Sequence, residues 1–190
     1  MPEAGRVVLT GGAGLVGQNL IHLLRQKGYR EIVSIDKHRA NNAVLRSLHP
    51  EVTVIDADLA EPGDWETHFA GAQALVMLQA QIGGLIYDEF DHNTLKTTER
   101  VLAAAKRAGI PYMVHISSSV VHSRADDYYS RSKRAQEAMV VASGMTCAIL
   151  RPTLITQTCA AAKTLTSAKR PNSPATLRPD CSNTKMRPST

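Results

Sequence analysis

The chain has 190 residues, of which 43% are hydrophobic and 21% charged, so it can form one domain with a substantial core but has little room for a second domain of ordinary size. Its apolar runs, such as residues 74–78 and 139–142, are far shorter than the roughly 20 residues of a membrane-spanning helix, and three irregularly spaced cysteines form neither a disulfide framework nor a metal-binding pattern. These features exclude integral membrane proteins and disulfide-rich secreted proteins, and with a start that has no room for a signal peptide they predict a cytoplasmic protein with no metal and no membrane partner.

The net charge of +5 is confined to the end of the chain. Up to Thr156 there are 16 Lys and Arg against 16 Asp and Glu, whereas residues 157–190 hold six basic residues against Asp180 alone. This last segment has no aromatic residue, four prolines, ten Ser or Thr and no apolar periodicity. We therefore predict a folded domain at residues 1–156 and a disordered or aberrant basic tail at 157–190. Without aromatic residues or a folded scaffold, the tail does not predict nucleic-acid binding.

Within residues 1–156, short β-branched runs alternate with longer stretches of helical period, a pattern typical of βαβ units around a parallel sheet. The pattern predicts six strands, at residues 6–10, 31–36, 52–55, 74–78, 112–117 and 146–150. It predicts four helices, at 15–27, 40–48, 89–108 and 128–142, with C-terminal stops at Gly28, Gly109 and Gly144. Residues 61–71 have no clear assignment. The predicted fold class is α/β, a doubly wound parallel sheet of the Rossmann type.

A glycine-rich segment follows the first predicted strand and opens the first predicted helix. Gly11, Gly14 and Gly17 have the spacing G-x-x-G-x-x-G, which allows a tight turn, a close approach of backbone N–H groups to a pyrophosphate, and packing of the helix on the sheet. A strand before and a helix after distinguish a dinucleotide site from an ordinary glycine-rich turn. We therefore predict that this loop, with Leu15 and Val16, binds the pyrophosphate of a nicotinamide dinucleotide.

Two acidic residues further along the chain suit the adenosine half of such a cofactor. Asp36 ends the second predicted strand, where a carboxylate can accept both ribose hydroxyls and repel a 2′-phosphate, so NAD is favoured over NADP. Lys37 and Arg39 follow at once and could instead cradle that phosphate. Asp58, with Leu59 after the third predicted strand, suits a contact to the adenine amino group, or it is a solvated helix cap.

A phenol and an ammonium, Tyr129 and Lys133, stand at positions i and i+4 of the last predicted helix and therefore on one helix face. Proton exchange with a substrate hydroxyl near neutral pH requires the pKa of a phenol to fall from about 10 by roughly three, and a nearby cation can supply much of that change. Serines 117–119 end the fifth predicted strand, at the edge where open α/β sheets place their active sites. Spacing alone does not choose among these serines, and Tyr128 is a second candidate only if the first turn of the helix is distorted.

These motifs occur in a familiar order: T-G-x-x-G-x-x-G, Asp36, D-x-D-L, Asn93 at the start of a long helix, the serine run, Y-x-x-S-K and L-R-P-T. Residues 6–155 therefore resemble the extended short-chain dehydrogenases/reductases, and among them the NAD-dependent epimerase/dehydratase family, whose best-known members act on nucleotide sugars. Hydroxysteroid dehydrogenases are close relatives of that family. The resemblance implies Tyr129 as the acid/base, Lys133 as the partner of the nicotinamide ribose and of the tyrosine, Ser118 as the substrate-orienting hydroxyl, and Asn93 as a supporting residue.

Several positions depart from the family pattern. His122 stands where the family usually has a tyrosine, Ser123 replaces a glycine, and residues 79–81 read Gln-Ala-Gln where a His-x-Ala-Ala segment is usual. These departures weaken any inference about the substrate. We interpret His115 and His122 as a strand and a loop residue with ordinary polar contacts, in preference to a base or metal pair.

The resemblance implies an NAD-dependent oxidoreductase or epimerase that transfers hydride at a hydroxyl-bearing carbon of a small molecule, a nucleotide sugar or similar. Family members are about twice as long, and their part after R-P-T builds much of the lobe that holds the substrate. The resemblance does not extend to such a lobe in this sequence, so we expect impaired turnover. Two alternatives stay open: a non-catalytic NAD(P)-binding or redox-sensing module, and an inactive truncated product.

The family often forms homodimers through its two long helices, which predicts a homodimer through residues 89–108 and 128–142. Five apolar residues could form either that dimer face or the core of the domain. They are Val101, Leu102, Ala105, Met139 and Val140.

Overall fold

The computed structural model describes residues 5–153 and residue 155. Within these residues, six parallel strands form one sheet in the order β3-β2-β1-β4-β5-β6. The strands are β1 (Arg6–Thr10), β2 (Ile32–Asp36), β3 (Thr53–Asp56), β4 (Ala72–Met77), β5 (Met113–Ile116) and β6 (Cys147–Leu150). This is the order of a doubly wound, nucleotide-binding sheet. The predicted α/β Rossmann fold is therefore confirmed. The predicted tail lies outside the described residues, and the division at residue 156 stays a prediction.

In the described part of the chain, five α-helices connect the strands. They are α1 (Leu15–Gln26), α2 (Arg39–Leu48), α3 (Tyr87–Phe90), α4 (Thr97–Arg107) and α5 (Tyr128–Ala142). Gly28, Gly109 and Gly144 follow α1, α4 and α5 with φ of 89°, 65° and 69°, the left-handed conformation that ends a helix without strain at glycine. None of the helices in the described part of the chain is long and apolar enough to cross a membrane.

The long helix predicted at 89–108 is not one regular α-helix. A π-helical turn, Asp91–Lys96, separates α3 from α4. Turns of this kind are often found at functional sites, because the wider turn changes the direction of its side chains. Here the hydroxyl of Thr94 accepts a hydrogen bond of 3.0 Å from the N–H of Gln81, in the loop that follows β4. The sequence has a helical period on both sides of this turn, so the pattern alone does not reveal it.

Residues 61–71, which had no clear assignment, contain a short 3-10 helix, Asp64–Phe69. Its two aromatic residues, Trp65 and Phe69, are buried with their rings edge to face and their centroids 5.6 Å apart. The segment therefore covers the apolar core beside β4.

Both faces of the sheet bury apolar side chains, because successive residues of a strand point to opposite faces. In β1, Val8 belongs to one apolar cluster, whereas Val7 and Leu9 belong to the other. The first cluster also contains buried residues of α4 and α5, and the second contains buried residues of α1 and α2.

The five residues that could form a dimer face or the core belong to the core. Val101, Leu102, Ala105 and Val140 are buried in the first cluster, and Met139 packs against it. A homodimer through residues 89–108 and 128–142 stays a prediction.

Candidate functional site

A cavity of about 490 Å³ opens at the carboxyl edge of the sheet. Its lining residues follow four neighbouring strands, including β1 and β4, between which the strand order reverses. Open α/β sheets bind ligands at this switch point. Of the predicted site residues, the structure brings nine together in its lining: Gly11, Gly14, Leu15, Val16, Gly17, Asp36, Asp58, Leu59 and Asn93.

The glycines of the loop are needed for two different reasons. Gly11 has φ of +73°, and a Cβ there would lie 2.7 Å from the backbone nitrogen of Gln79. A Cβ on Gly17 would lie 2.6 Å from the carbonyl carbon of Gly12, so both positions need glycine for backbone packing. Gly14 has φ of −71°, and its Cβ would lie 3.4 Å from the nearest atom, the carbonyl oxygen of Gly11. The chain itself does not require glycine at position 14, where a side chain would instead occupy the cavity.

The first turn of α1 faces the same loop. Gly14 is its N-cap residue, with no side-chain capping hydrogen bond, and no acidic residue occupies the first turn. The first N–H groups of a helix have no partner within the helix, and the helix dipole gives this end a partial positive charge. This end of α1 is therefore suited to an anion such as a pyrophosphate.

Asp36 lies at the end of β2 with 6% of its surface exposed. One carboxylate oxygen accepts a hydrogen bond of 3.3 Å from the N–H of Ala13 in the glycine loop, and the other accepts one of 3.0 Å from the N–H of His38. These two bonds fix the carboxylate beside the loop. A carboxylate has about four acceptor positions, so both oxygens keep capacity for hydroxyl donors.

Asp58 and Asn93 form a polar cluster with Lys37 on another part of the cavity wall. The Lys37 ammonium bonds to the side-chain oxygen of Asn93 and lies 3.4 Å from Asp58 Oδ2, which His92 Nε2 approaches to 3.3 Å. Burial raises the pKa of the Asp58 carboxyl, but the N–H of Ala60, His92 and Lys37 together bring it below its ordinary value. Lys37, considered above as a phosphate ligand, is thus engaged with an anionic partner.

The start of α5 is fixed by its cap. Asp127 accepts hydrogen bonds from the N–H and the hydroxyl of Ser130, at 2.8 and 2.9 Å. The ring of Tyr128 packs against Tyr87, with 5.6 Å between the ring centroids. Tyr129 lies in the first turn, one turn before Lys133.

Lys133 does not line the cavity and is almost fully buried, with 1% of its surface exposed. Its ammonium donates to the carbonyl oxygen of Ile116 at 3.0 Å and to Oε1 of Gln136 at 2.6 Å. Burial lowers the pKa of Lys133 to about 8, although Glu137 acts in the opposite direction. The lysine therefore stays charged at neutral pH but titrates close to it.

Two of the three serines after β5 have distinct partners. Ser117 donates a hydrogen bond of 2.7 Å to Glu137. Glu137 also pairs with Arg151, whose guanidinium is the main reason that its pKa is lowered to about 2. Ser118 is buried and accepts from the N–H of Val120 at 3.3 Å, capping the 3-10 turn Ser119–His122. Ser117 is thus hydrogen-bonded to the ion pair of Glu137 and Arg151, which leaves Ser118 a stronger candidate than Ser117.

The interpretation of His115 as a residue with ordinary polar contacts is wrong. Its ring is fully buried, and neither ring nitrogen has a hydrogen-bond partner among the residues that the structure describes. Burial first, and then the charge of Lys133, lower the pKa of His115 to about 3. His122 lies instead in the exposed part of the 3-10 turn.

Sequence reasoning missed Gln136 and Glu137. Both stand within a turn of Lys133 on α5, three and four residues after it. Their spacing of three and four residues from Lys133 places them beside it on one helix face, and this was the signal that the sequence offered.

Most of the chain is similar to known proteins. A family model for the NAD dependent epimerase/dehydratase family matches residues 7–156. Among curated proteins, a 3 beta-hydroxysteroid dehydrogenase/Delta 5→4-isomerase of Mycobacterium tuberculosis is 29% identical over 77% of this chain and 46% of its own length. A ceramide reductase of Caulobacter vibrioides is 28% identical over 80% of this chain and 46% of its own length.

Solved structures show the same fold. The Bordetella bronchiseptica enzyme WbmG, in complex with NAD and UDP, has a TM-score of 0.70 and 23% identity, over 79% of this chain and 53% of its own. This chain spans about half the length of the relatives that it matches.

Proposed function

Because the chain belongs to the NAD dependent epimerase/dehydratase family, we propose that it is an NAD-dependent oxidoreductase that exchanges hydride at the hydroxyl-bearing carbon of a small-molecule substrate. The observation that carries the proposal is the cavity at the switch point of the sheet, where the glycine loop, the uncapped start of α1 and Asp36 meet. A binding module with no turnover would have no need of the pair formed by Tyr129 and Lys133.

The residues around the cavity fit a dinucleotide. The N–H groups at the start of α1 suit the pyrophosphate, and Gly14 leaves room for it. Asp36 suits the hydroxyls of the adenosine ribose and disfavours a 2′-phosphate, so we propose NAD in preference to NADP. Asp58 and Leu59 suit the adenine end. When bound, NAD supplies or accepts the hydride.

Two side chains of this chain handle the proton and the substrate oxygen. Ser118 holds that oxygen by a hydrogen bond, and Tyr129 exchanges a proton with it. Lys133, one turn after Tyr129 on α5, binds the ribose of the cofactor in this proposal. Asn93 supports the cavity wall through its bonds to Lys37 and Gln81.

For the substrate, we propose an apolar, lipid-like alcohol or ketone in preference to a nucleotide sugar. Large apolar side chains are exposed in the loop after β4 and at the starts of α3 and α5: Ile82, Leu85, Ile86, Tyr87 and Tyr128. Ile82 also lines the cavity, and Leu85 is 94% exposed. Two of the curated relatives are named for a steroid and a ceramide, which agrees with an apolar surface beside the site.

The test is isothermal titration of the purified chain with NAD and NADP. We expect saturable NAD binding, retained within a few-fold in Gly14→Ala and lost in Gly14→Trp, because only the larger side chain fills the cavity while both fit the backbone of position 14. The alanine variant is the matched control for folding. A folded, monodisperse chain that does not bind NAD would contradict the proposal. If NAD binds, NADH formation from a steroid alcohol and from a UDP-sugar then distinguishes the substrate classes.

A further inference from the structure

Gln136 lies between the buried lysine of α5 and the loop that follows β4. Its side chain is fully buried. The amide oxygen accepts the hydrogen bond from Lys133 at 2.6 Å, and the amide nitrogen donates to the carbonyl oxygen of Gln79 at 3.2 Å and to the hydroxyl of Thr98 at 2.9 Å. Both N–H donors of this amide and its oxygen therefore each have a specific partner.

The orientation of the amide follows from its neighbours. A carbonyl oxygen can only accept, so the NH₂ group of Gln136 must face Gln79. Thr98 donates its own hydrogen to the carbonyl oxygen of Thr94 at 2.6 Å, so its hydroxyl accepts from Gln136. The amide oxygen is then left to face Lys133, and a flipped amide would place two donors against each other.

Lys133 depends on this oxygen because its other polar neighbours do not replace it. The facing titratable groups are Glu137 on α5 and His115 on β5. Glu137 is hydrogen-bonded to Ser117 and Arg151, and His115 is uncharged near neutral pH because its pKa is about 3. Among the described residues, the hydrogen-bond acceptors of the ammonium are both neutral oxygens.

The same amide connects the lysine to the glycine loop. The side chain of Gln79 accepts a 2.5 Å hydrogen bond from the hydroxyl of Thr10 at the end of β1, and the backbone of Gln79 packs closely against Gly11. A continuous series of contacts thus runs from Lys133 through Gln136 and Gln79 to the first residue of the loop.

We infer that Gln136 is a positioning residue, which fixes the ammonium of Lys133 relative to the loop after β4 and leaves one of its three N–H groups unused by Ile116 and Gln136. The inference rests on the proposed function for what the free N–H group binds. The positioning itself concerns this chain alone and can be measured without a cofactor.

The test is an NMR titration of the full chain labelled with ¹³C at the lysine Cε, in which Lys133→Met identifies the signal. Gln136→Leu removes a neutral acceptor from a buried cation, and we expect the titration midpoint of Lys133 to fall by about one pH unit. Gln136→Glu puts an anion in the same place, and the midpoint should rise by about as much. A role limited to packing would not move the midpoint in opposite directions.

Two further variants serve as a control and as an independent test. Gln26→Leu changes an exposed glutamine of α1 and should leave the midpoint unchanged. Thr98→Val keeps the shape of its side chain but removes one anchor of the Gln136 amide, so it should lower the midpoint by less than Gln136→Leu. If Gln136→Leu fails to fold, Gln136→Glu and Thr98→Val decide the question. An unchanged midpoint in both would overturn the inference.

Titration of the same variants with NADH separates this inference from the proposed function. We expect NADH to bind Gln136→Leu about tenfold more weakly than the wild type, as the loss of one charge-assisted hydrogen bond predicts. Midpoints that move as expected in a chain that binds no NADH would support the positioning and contradict the proposed function. Binding of NADH by variants whose Lys133 midpoint does not change would support the proposed function and contradict the positioning.

Discussion

Asp36 is the residue on which the choice of cofactor depends most directly. Its carboxylate is held between the N–H groups of Ala13 and His38, so it cannot turn away from the site without losing two hydrogen bonds. Asp56 stands beside it in register at the end of β3 but pairs with Arg46 and does not line the cavity. Substitutions of the two aspartates can therefore distinguish the effect of a charge at this edge of the sheet from the effect of a charge inside the cavity.

We predict that Asp36→Ser weakens NAD binding by about tenfold to a hundredfold, because a bidentate charge-assisted contact to two hydroxyls is lost. NADP binding should weaken less or improve, since the repulsion of the 2′-phosphate is removed. Isothermal titration with both cofactors measures the ratio. Asp56→Asn, the matched control, should leave that ratio unchanged, and an Asp36→Ser chain with the wild-type ratio would contradict the assignment.

At the residue scale, the sequence predicts side chains whose roles follow from local context. Asp36 and the loop glycines stand directly at strand ends, where the fold class fixes their position. Gln136 and His115 could not be assigned in this way. The amide of Gln136 meets Gln79, 57 residues earlier in the chain, and the isolation of His115 depends on what packs around it in three dimensions.

At the scale of elements, the start of α5 gives the two tyrosines of its first turn different surroundings. The cap at Asp127 sets the register, and the ring of Tyr128 is used in packing against Tyr87 and Phe90. The sequence predicted the limits of α5 because such caps are local signals. It did not predict the π turn before α4, which depends on tertiary contacts such as that between Thr94 and Gln81.

We predict that Tyr129→Phe reduces turnover by about a hundredfold or more, the usual contribution of a general acid or base, without changing NAD affinity more than a few-fold. Tyr128→Phe is the matched control on the same helix and should keep most of the activity. Initial rates of NADH formation with a substrate identified in the screen provide the measurement. Equal losses in the two variants would show that the tyrosines act only through the structure of α5.

At the scale of the whole molecule, the sequence predicts the class of the sheet, parallel and doubly wound, but not the order of its strands. Alternating strand and helix patterns indicate a parallel sheet, and the six strands were found within two residues of the predicted limits. The same topology brings the last strands together around a polar group that a sheet interior normally excludes. His115 on β5 lies in register between Met77 on β4 and Ile149 on β6, with no partner for its ring among the described residues.

This burial makes the stability of the whole domain depend on pH. The pKa of His115 is about 3 in the folded chain, against 6.5 for an ordinary histidine. As the pH falls through 6.5, the unfolded chain takes up a proton that the folded chain does not, so stability is lost progressively toward pH 3. Between about pH 7 and pH 5, this one group should lower the free energy of unfolding by about 2 kcal/mol.

His115→Leu should remove that contribution, because leucine fills a similar space and carries no titratable group. Urea unfolding at pH 7 and pH 5 gives the free energy of unfolding for both chains, and the loss on acidification should be smaller in the variant by about 2 kcal/mol. At pH 7 the variant should also be at least as stable as the wild type, since an unpartnered polar ring no longer has to be buried. His22→Gln, at an exposed position of α1, should keep the wild-type pH dependence. If His115→Leu loses as much stability on acidification as the wild type, then the imidazole has a proton-accepting partner in the folded chain.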